Sequence, residues 1–169
     1  MTPVFRLAER SDLPALAALF ERSFRGAFAH LYSDADLKTF LAQFNLEAWA
    51  KEFDDPGYAF FVAEAGSDLV AFVKLGPPAL PVERNGPAVE LRQIYVDPDW
   101  TGRGLSGALM EWAIAEARRR EAQELYLTVY VGNPRARKLY ERYGFVAVGL
   151  YAFMVGNQAD EDIIMRLAL

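Results

Sequence analysis

The 169-residue chain contains no cysteine. That removes a disulfide framework, a thiolate nucleophile and any Cys-ligated zinc or iron–sulfur site. Histidine is almost as scarce. His30 stands alone, which argues against a His-rich metal site and against a Ser-His-Asp triad anchored anywhere but at His30, and no metal is expected. No apolar run approaches the roughly 18 residues of a membrane span, and no basic-then-apolar leader opens the chain. A cytoplasmic protein that does not enter a membrane is the expectation. Positive charge is also in deficit. A net charge of −5 argues against nonspecific nucleic-acid binding and mildly favours a cationic substrate such as an amine. No linker, low-complexity tract or repeat interrupts the sequence, so a single domain over residues 1–169 is expected.

What is present is apolar. Hydrophobic residues make up 53% and aromatics 14%, enough to fill a substantial core and to exclude disorder. Phe5–Ala8 reads as a short strand. Ser11-Asp12 reads as a cap, with Pro14 near the first turn, for a helix whose apolar stripe is Leu13, Leu16, Ala17, Leu19 and Phe20. Ser33-Asp34 caps a second helix through Leu41, and Glu47–Phe53 forms a short third. Tyr58–Ala65 and Leu69–Leu75 are strands joined by a Gly66-Ser67-Asp68 hairpin turn. After the Pro- and Gly-rich loop Gly76–Pro87 come a strand at Val89–Val96, a helix at Gly104–Arg120, a strand at Glu124–Val131 and a helix at Asn133–Tyr143. Phe145–Val155 and Ile163–Leu169 are closing strands, linked by a polar stretch Gly156–Asp162. This order predicts a layered α/β (α+β) domain.

The segment Val96–Met110 (VDPDWTGRGLSGALM) is the most informative. It passes from a strand end through a glycine-bearing loop into a helix whose first turn is built from small residues. The first N–H groups of a helix lack intrahelical partners and sit at the positive end of its dipole. With Gly102, Gly104 and Gly107 allowing close approach, this is a cradle for a diphosphate. An acidic chain must hold such an anion with local donors, namely these amides and Arg103. A P-loop is excluded because no Lys follows Gly104 or Gly107. The G-x-G-x-x-G spacing of a dinucleotide fingerprint is met literally. Its acidic ribose partner would fall on Glu121 or Glu124, before the next strand rather than at its end.

A second motif follows at Asn133: N-P-R-A-R-K-L-Y-E-R-Y-G-F. Together the two resemble the GCN5-related N-acetyltransferases, the GNAT superfamily. Thr101, Gly104 and Ser106 align with the Q/R-x-x-G-x-G/A signature, with departures at Thr101 and Ser106. Asn133, Ala136, Tyr140, Gly144 and Phe145 fill every marked position of N-x-x-A-x-x-x-Y-x-x-x-G-F. The firm match spans residues 88–145. The tail from Gly149 to Met165 is similar to bacterial N-acetyltransferases of the spermine/spermidine type.

The resemblance implies the GNAT fold, a mixed, mostly antiparallel sheet of about seven strands with helices on both faces. It implies direct transfer of an acetyl group from acetyl-CoA to a primary amine, on a polyamine, another small amine or a protein, and a possible homodimer. The implied diphosphate site is Gly102, Arg103, Gly104, Leu105, Ser106, Gly107 and Ala108. The pantetheine arm would run along Ile94, Tyr95 and Val96, whose backbone N–H groups are placed to meet an oxyanion. Asn133, Ala136 and Lys138 complete the coenzyme side. Tyr140 aligns with the family's general acid.

Glu90 is the candidate base, because a primary ammonium with a pKa near 10.4 is less than about 0.1% neutral at pH 7; pairing with Arg92 is its structural alternative. By position, Phe28, His30, Tyr32 and the Gly76–Pro87 loop are candidates for the acceptor side. Two other readings stay open at this level: a non-catalytic acyl-CoA-binding or regulatory module, and a nucleotide-dependent enzyme using the G-x-G-x-x-G loop.

Overall fold

In the computed structural model, which describes residues 1–169, the hairpin signal becomes β2 (Ala59–Ala65) and β3 (Asp68–Gly76). Gly66 supplies the turn with a φ of 67°, a conformation glycine adopts without a Cβ penalty. β1 (Val4–Leu7) pairs outside β2, and β4 (Ala88–Val96) pairs with β3, all antiparallel. β5 (Glu124–Tyr130) lies parallel to β4. With β6 (Val146–Val155) and β7 (Gln158–Ala168) the strands form one mixed seven-stranded sheet in the order β1-β2-β3-β4-β5-β7-β6. The expected layered α/β architecture is what the chain forms.

Helices cover both faces. On one lie α1 (Leu13–Phe28), α2 (Asp34–Leu41) and α3 (Leu46–Asp54). Leu16, Leu19, Phe20, Phe40 and Trp49 from these helices pack on Phe60, Val62 and Phe72 of the sheet. On the other face lie α4 (Leu105–Arg119) and α5 (Pro134–Arg142). Leu109, Met110, Ala113 and Tyr140 meet Val73, Leu91, Leu127 and Met165 there. Trp49 is 1% exposed, donates its indole N–H to the Phe44 carbonyl at 3.1 Å, and lies 5.9 Å from the Phe72 ring. Trp49→Ala is expected to lose about 3–5 kcal/mol, as large aromatic deletions do. At this chain length that lowers Tm by about 10 °C, readable by calorimetry.

Two expectations need correction. Asp12 occupies the N-cap position of α1 but does not cap it. A 3₁₀ turn at Arg10–Asp12 comes first, and the Asp12 carboxylate accepts bonds from Arg6 and from the Glu9 amide. The stretch Gly156–Asp162 is not a polar linker either. β7 already begins at Gln158, after a tight turn in which Gly156 has φ of 57°. Its polar residues belong to a strand because two of them are buried, a point that bears on the site. No helix is long and apolar enough to cross a membrane.

Candidate active site

β4 and β5 pair only at their starts, Ala88–Glu90 against Glu124–Tyr126. Beyond Glu90 they diverge. The edge of β4 that faced β5 then has no strand partner, while its other edge stays paired with β3 as far as Val96. β4 also bulges at Arg92, since Leu75 pairs with Leu91 and Lys74 with Gln93. A bulge shifts the alternation of side chains by one. It puts Glu90, Gln93 and Tyr95 on the face that carries α1, and Leu91, Ile94 and Val96 on the face that carries α4.

The wedge between the diverging strands opens into a cavity of about 1010 Å³. Ile94, Tyr95 and Val96 form one wall. The start of α4 forms another, through Gly102, Gly104, Leu105, Ser106 and Gly107. Gly102 and Gly104 have φ of 76° and 80°, and a Cβ built on either would meet no atom within 4 Å. The space beside them is open, as a close-approaching ligand requires. Leu105, Ser106 and Gly107 have no carbonyl one turn back to bond.

Ala108, assigned to the same cradle from sequence, does not belong to it: its N–H is bonded to Gly104 O at 3.4 Å and it does not line the cavity. Gly107 has a packing reason as well. A Cβ there would lie 3.3 Å from the Tyr143 hydroxyl, which donates to the Gly107 carbonyl. Thr101 spends its hydroxyl on the Pro98 carbonyl at 3.0 Å.

The basic residues differ from expectation. Arg103 is stacked over Trp100 at 4.5 Å and donates to Asp99 O; Trp100 lines the cavity and Arg103 does not. Lys138 is exposed and also off the wall. Arg135 and Arg142 line the cavity instead. They stand seven residues apart, two helical turns, and so share one side of α5. On the same helix Asn133 is the N-cap, accepting from the Ala136 amide at 3.2 Å, and both residues line the cavity.

Tyr140 is 7% exposed and packs edge-on against Phe145. Burial alone pushes its pKa up to about 12. Glu90 is 8% exposed. Its carboxylate accepts the Ala79 amide at 2.7 Å and lies 3.7 Å from Arg92 Nε, while Arg92 donates to the Pro77 carbonyl. The pair therefore ties the Pro77–Ala79 loop to β4. Phe28 and Tyr32 reach the cavity, and Phe28 packs edge-on to Tyr130. His30, expected beside them, is exposed in the 3₁₀ turn Ala29–Leu31 and does not reach the wall.

Sequence reasoning missed Asp160 and Asp162, which line the same cavity from β7 while only 8% and 6% exposed. Burial raises the Asp162 pKa to about 6, against a bond from the Thr128 hydroxyl and with a smaller push from Asp160. The signal was there in the alternation Asp160, Asp162, Ile164 on one side of a strand, but it was hidden by reading a polar stretch as a loop.

Free amides at a helix start, an unpaired strand edge and a buried phenol meet on one cavity. The comparisons with known proteins give the chain's family. Residues 13–145 match the model of the acetyltransferase (GNAT) family, and the chain belongs to that family as an acetyl-CoA-dependent N-acetyltransferase. It is 26% identical over 160 residues to an uncharacterized N-acetyltransferase encoded in the pepI 3′ region of Lactobacillus delbrueckii subsp. lactis, covering 94% of this chain and 92% of that one.

Two solved structures share the fold. PaiA N-acetyltransferase from Thermoplasma acidophilum, in complex with coenzyme A, superposes with a TM-score of 0.77 at 20% identity over the whole of both chains. Ribosomal-protein-alanine N-acetyltransferase from Brucella melitensis has a TM-score of 0.75 at 26% identity, covering 98% of this chain and 99% of that one.

Proposed function

We propose that residues 1–169 act as one domain that moves the acetyl group of acetyl-CoA directly to the primary amine of a small molecule. The observation that carries this reading is the convergence of three features on one cavity: the unpaired edge of β4, the unbonded amides that open α4, and the buried Tyr140. The amides of Leu105, Ser106 and Gly107 hold the diphosphate, with Gly102 and Gly104 leaving it room. Arg135 and Arg142 add charge at the rim.

The edge at Ile94–Val96 offers backbone groups to the amides of the pantetheine arm, as an added strand would. Asn133 and Ala136 border that arm. The coenzyme supplies the activated acyl group. Tyr140 donates a hydrogen bond to the departing sulfur. With no cysteine in the chain, no cysteinyl acyl-enzyme is formed.

Glu90 is occupied by Ala79 and Arg92, and we assign it to positioning the loop that walls the acceptor end. Glu90→Gln is expected to keep turnover within about fivefold at neutral pH with the pH profile unmoved, since Gln still accepts the Ala79 amide. A loss of about 100-fold or more would return the proton-accepting role to Glu90.

The direct test is a panel of amines with acetyl-CoA, following thiol release with a chromogenic reagent. Turnover confined to small amines supports the reading. A rise in Tm with coenzyme A but no turnover with any amine would overturn it in favour of a sensor.

A further inference from the structure

The acceptor end of the cavity has an unusual chemical composition. Asp160 and Asp162 alternate along β7, so their side chains share the face that carries α1. Asp162 is paired in register with Tyr130 on β5 and Tyr151 on β6, and Asp160 with Phe153 on β6. Directly opposed residues on adjacent strands stand side by side on one face. The Tyr32 hydroxyl donates to Asp160 from the far wall, and Gln158 donates to it from the same strand. All these residues except Gln158 line the cavity.

Neither aspartate is ion-paired. The other carboxylates of the cavity are: Glu52 holds Lys74 at 2.6 Å and Glu90 faces Arg92. The cavity therefore contains one locus of uncompensated negative charge, framed by aromatic rings. A second, separate observation points the same way. The Gln93 side-chain oxygen, on the same face and in the same cavity, is buried with no hydrogen-bond partner. Two carboxylates without an ion-pair partner, and an unpartnered carbonyl in the same cavity, suit a group with several donors and a positive charge. No third His, Cys, Asp or Glu joins the pair to make a metal cage.

We propose that Asp160 and Asp162, with Tyr130, Tyr151 and Phe28, form the acceptor subsite, that it takes the ammonium of a singly charged amine on an apolar or aromatic body, and that Asp162 accepts the ammonium's proton. The proposal rests on the transferase reading above and specifies its acceptor. A cation among tyrosine and phenylalanine faces gains from their quadrupoles. A polyamine would need further unpaired carboxylates for its other charges, and the cavity offers none.

The titratable groups around Asp162 are Asp160 on β7, Tyr130 on β5, Tyr151 on β6, Tyr32 after α1 and Tyr95 on β4. Tyr95 is raised by burial, then by its neighbours Tyr140 and Asp162. The ammonium gives one proton to Asp162, and the neutral nitrogen attacks the thioester carbonyl. The N–C bond forms, the C–S bond breaks, and the nitrogen's second proton leaves with the sulfur. Asp162 then releases its proton to solvent. With Asp162 shifted to about 6, the acceptor is ionised at neutral pH and close enough to it to return the proton.

The test compares 2-phenylethylamine, spermidine and an alanyl peptide as acceptors for the wild type, Asp162→Asn and Asp160→Asn. The wild type is expected to favour 2-phenylethylamine over spermidine by at least about tenfold in kcat/KM, with an acid limb near pH 6. Asp162→Asn is expected to lose at least about tenfold, to lose that limb, to keep its affinity for coenzyme A and not to melt below the wild type. Preference for spermidine or for the peptide overturns the class of acceptor. Asp162→Asn activity within about twofold of wild type, with the acid limb intact, overturns the proton-accepting role.

Calorimetric binding of 2-phenylethylamine to the coenzyme A complex is read in parallel and needs no turnover. Binding that both aspartate variants weaken supports the subsite even if no amine is acetylated, in which case the transferase reading alone falls. Binding absent from the wild type, or unchanged in both variants, overturns the subsite.

Discussion

Gly104→Val is expected to raise the KM and Kd for acetyl-CoA by at least about 100-fold while Tm falls by only a few degrees. Two physical effects act on that residue, and they differ in size. With φ of 80°, the backbone is in the left-handed region. A side chain there costs roughly 1–2 kcal/mol, more for a β-branched one. That is the stability effect, and it is modest because a Cβ at Gly104 meets no atom of the folded chain.

The expected binding effect is larger because the open space beside Gly104 is where we place the diphosphate. An isopropyl group there separates phosphate oxygens from the amides of Leu105 and Ser106. Hydrogen bonds to charged groups contribute about 1.5–3 kcal/mol each, so losing two costs at least about 3 kcal/mol, or a factor of 100. Titration of the purified protein with coenzyme A measures it. Unchanged affinity would remove the cradle from this helix start. Gly107→Ala is the informative companion. Its Cβ would meet the Tyr143 hydroxyl at 3.3 Å, so its effect should fall on the packing of α5 and on Tm before it falls on coenzyme affinity.

Tyr140→Phe is expected to lower kcat by about 10–100-fold, with the KM of either substrate within about threefold. The size follows from acidity. Burial holds the Tyr140 phenol at about 12, and a free thiol ionises near 8.5, so complete proton transfer to a thiolate is uphill by roughly 5 kcal/mol. A donated hydrogen bond to the sulfur as it gains charge needs no such transfer, and it is worth most in the transition state. Losing it lowers kcat and leaves ground-state binding alone.

The pH profile carries the same logic. A group with a pKa of about 12 stays protonated across the working range, so Tyr140 contributes no alkaline limb below about pH 10. A loss of about 10,000-fold, or an alkaline limb near pH 8–9 that Tyr140→Phe abolishes, would instead make Tyr140 a true proton donor.

Much of the local geometry around the two motifs was legible in the residues. Asn133 ahead of Pro134 announces a helix start in any context, and Gly144 with φ of 97° ends that helix as its position suggested. These signals are local. A cap, a turn or a helix register is decided by neighbours within a few residues, which the sequence displays directly.

Other parts of the cavity were not legible, for equally physical reasons, although Phe28 and Tyr32, chosen by position, do line it. Gln158–Asp162 looked like a linker because its residues are polar. They lie in a strand because alternate side chains face a cavity rather than solvent. His30 and Lys138 were chosen by nearness in sequence to candidate segments, and the local helix and turn geometry points them to solvent. Arg135 and Arg142 were passed over, although the helical period puts both on the side of α5 that the cavity needs.

From its sequence alone, then, this protein was legible as a layered α/β acetyltransferase with a glycine-bearing loop opening α4, because close-range backbone and capping chemistry writes itself into short motifs. Only the tertiary structure decided which carboxylates face the cavity. That depends on β7 inserting between β5 and β6, on the bulge at Arg92 and on the divergence of β4 from β5. Each is a pairing between residues far apart in the chain. A shift of one residue in such a pairing sends a side chain to the opposite face of the sheet.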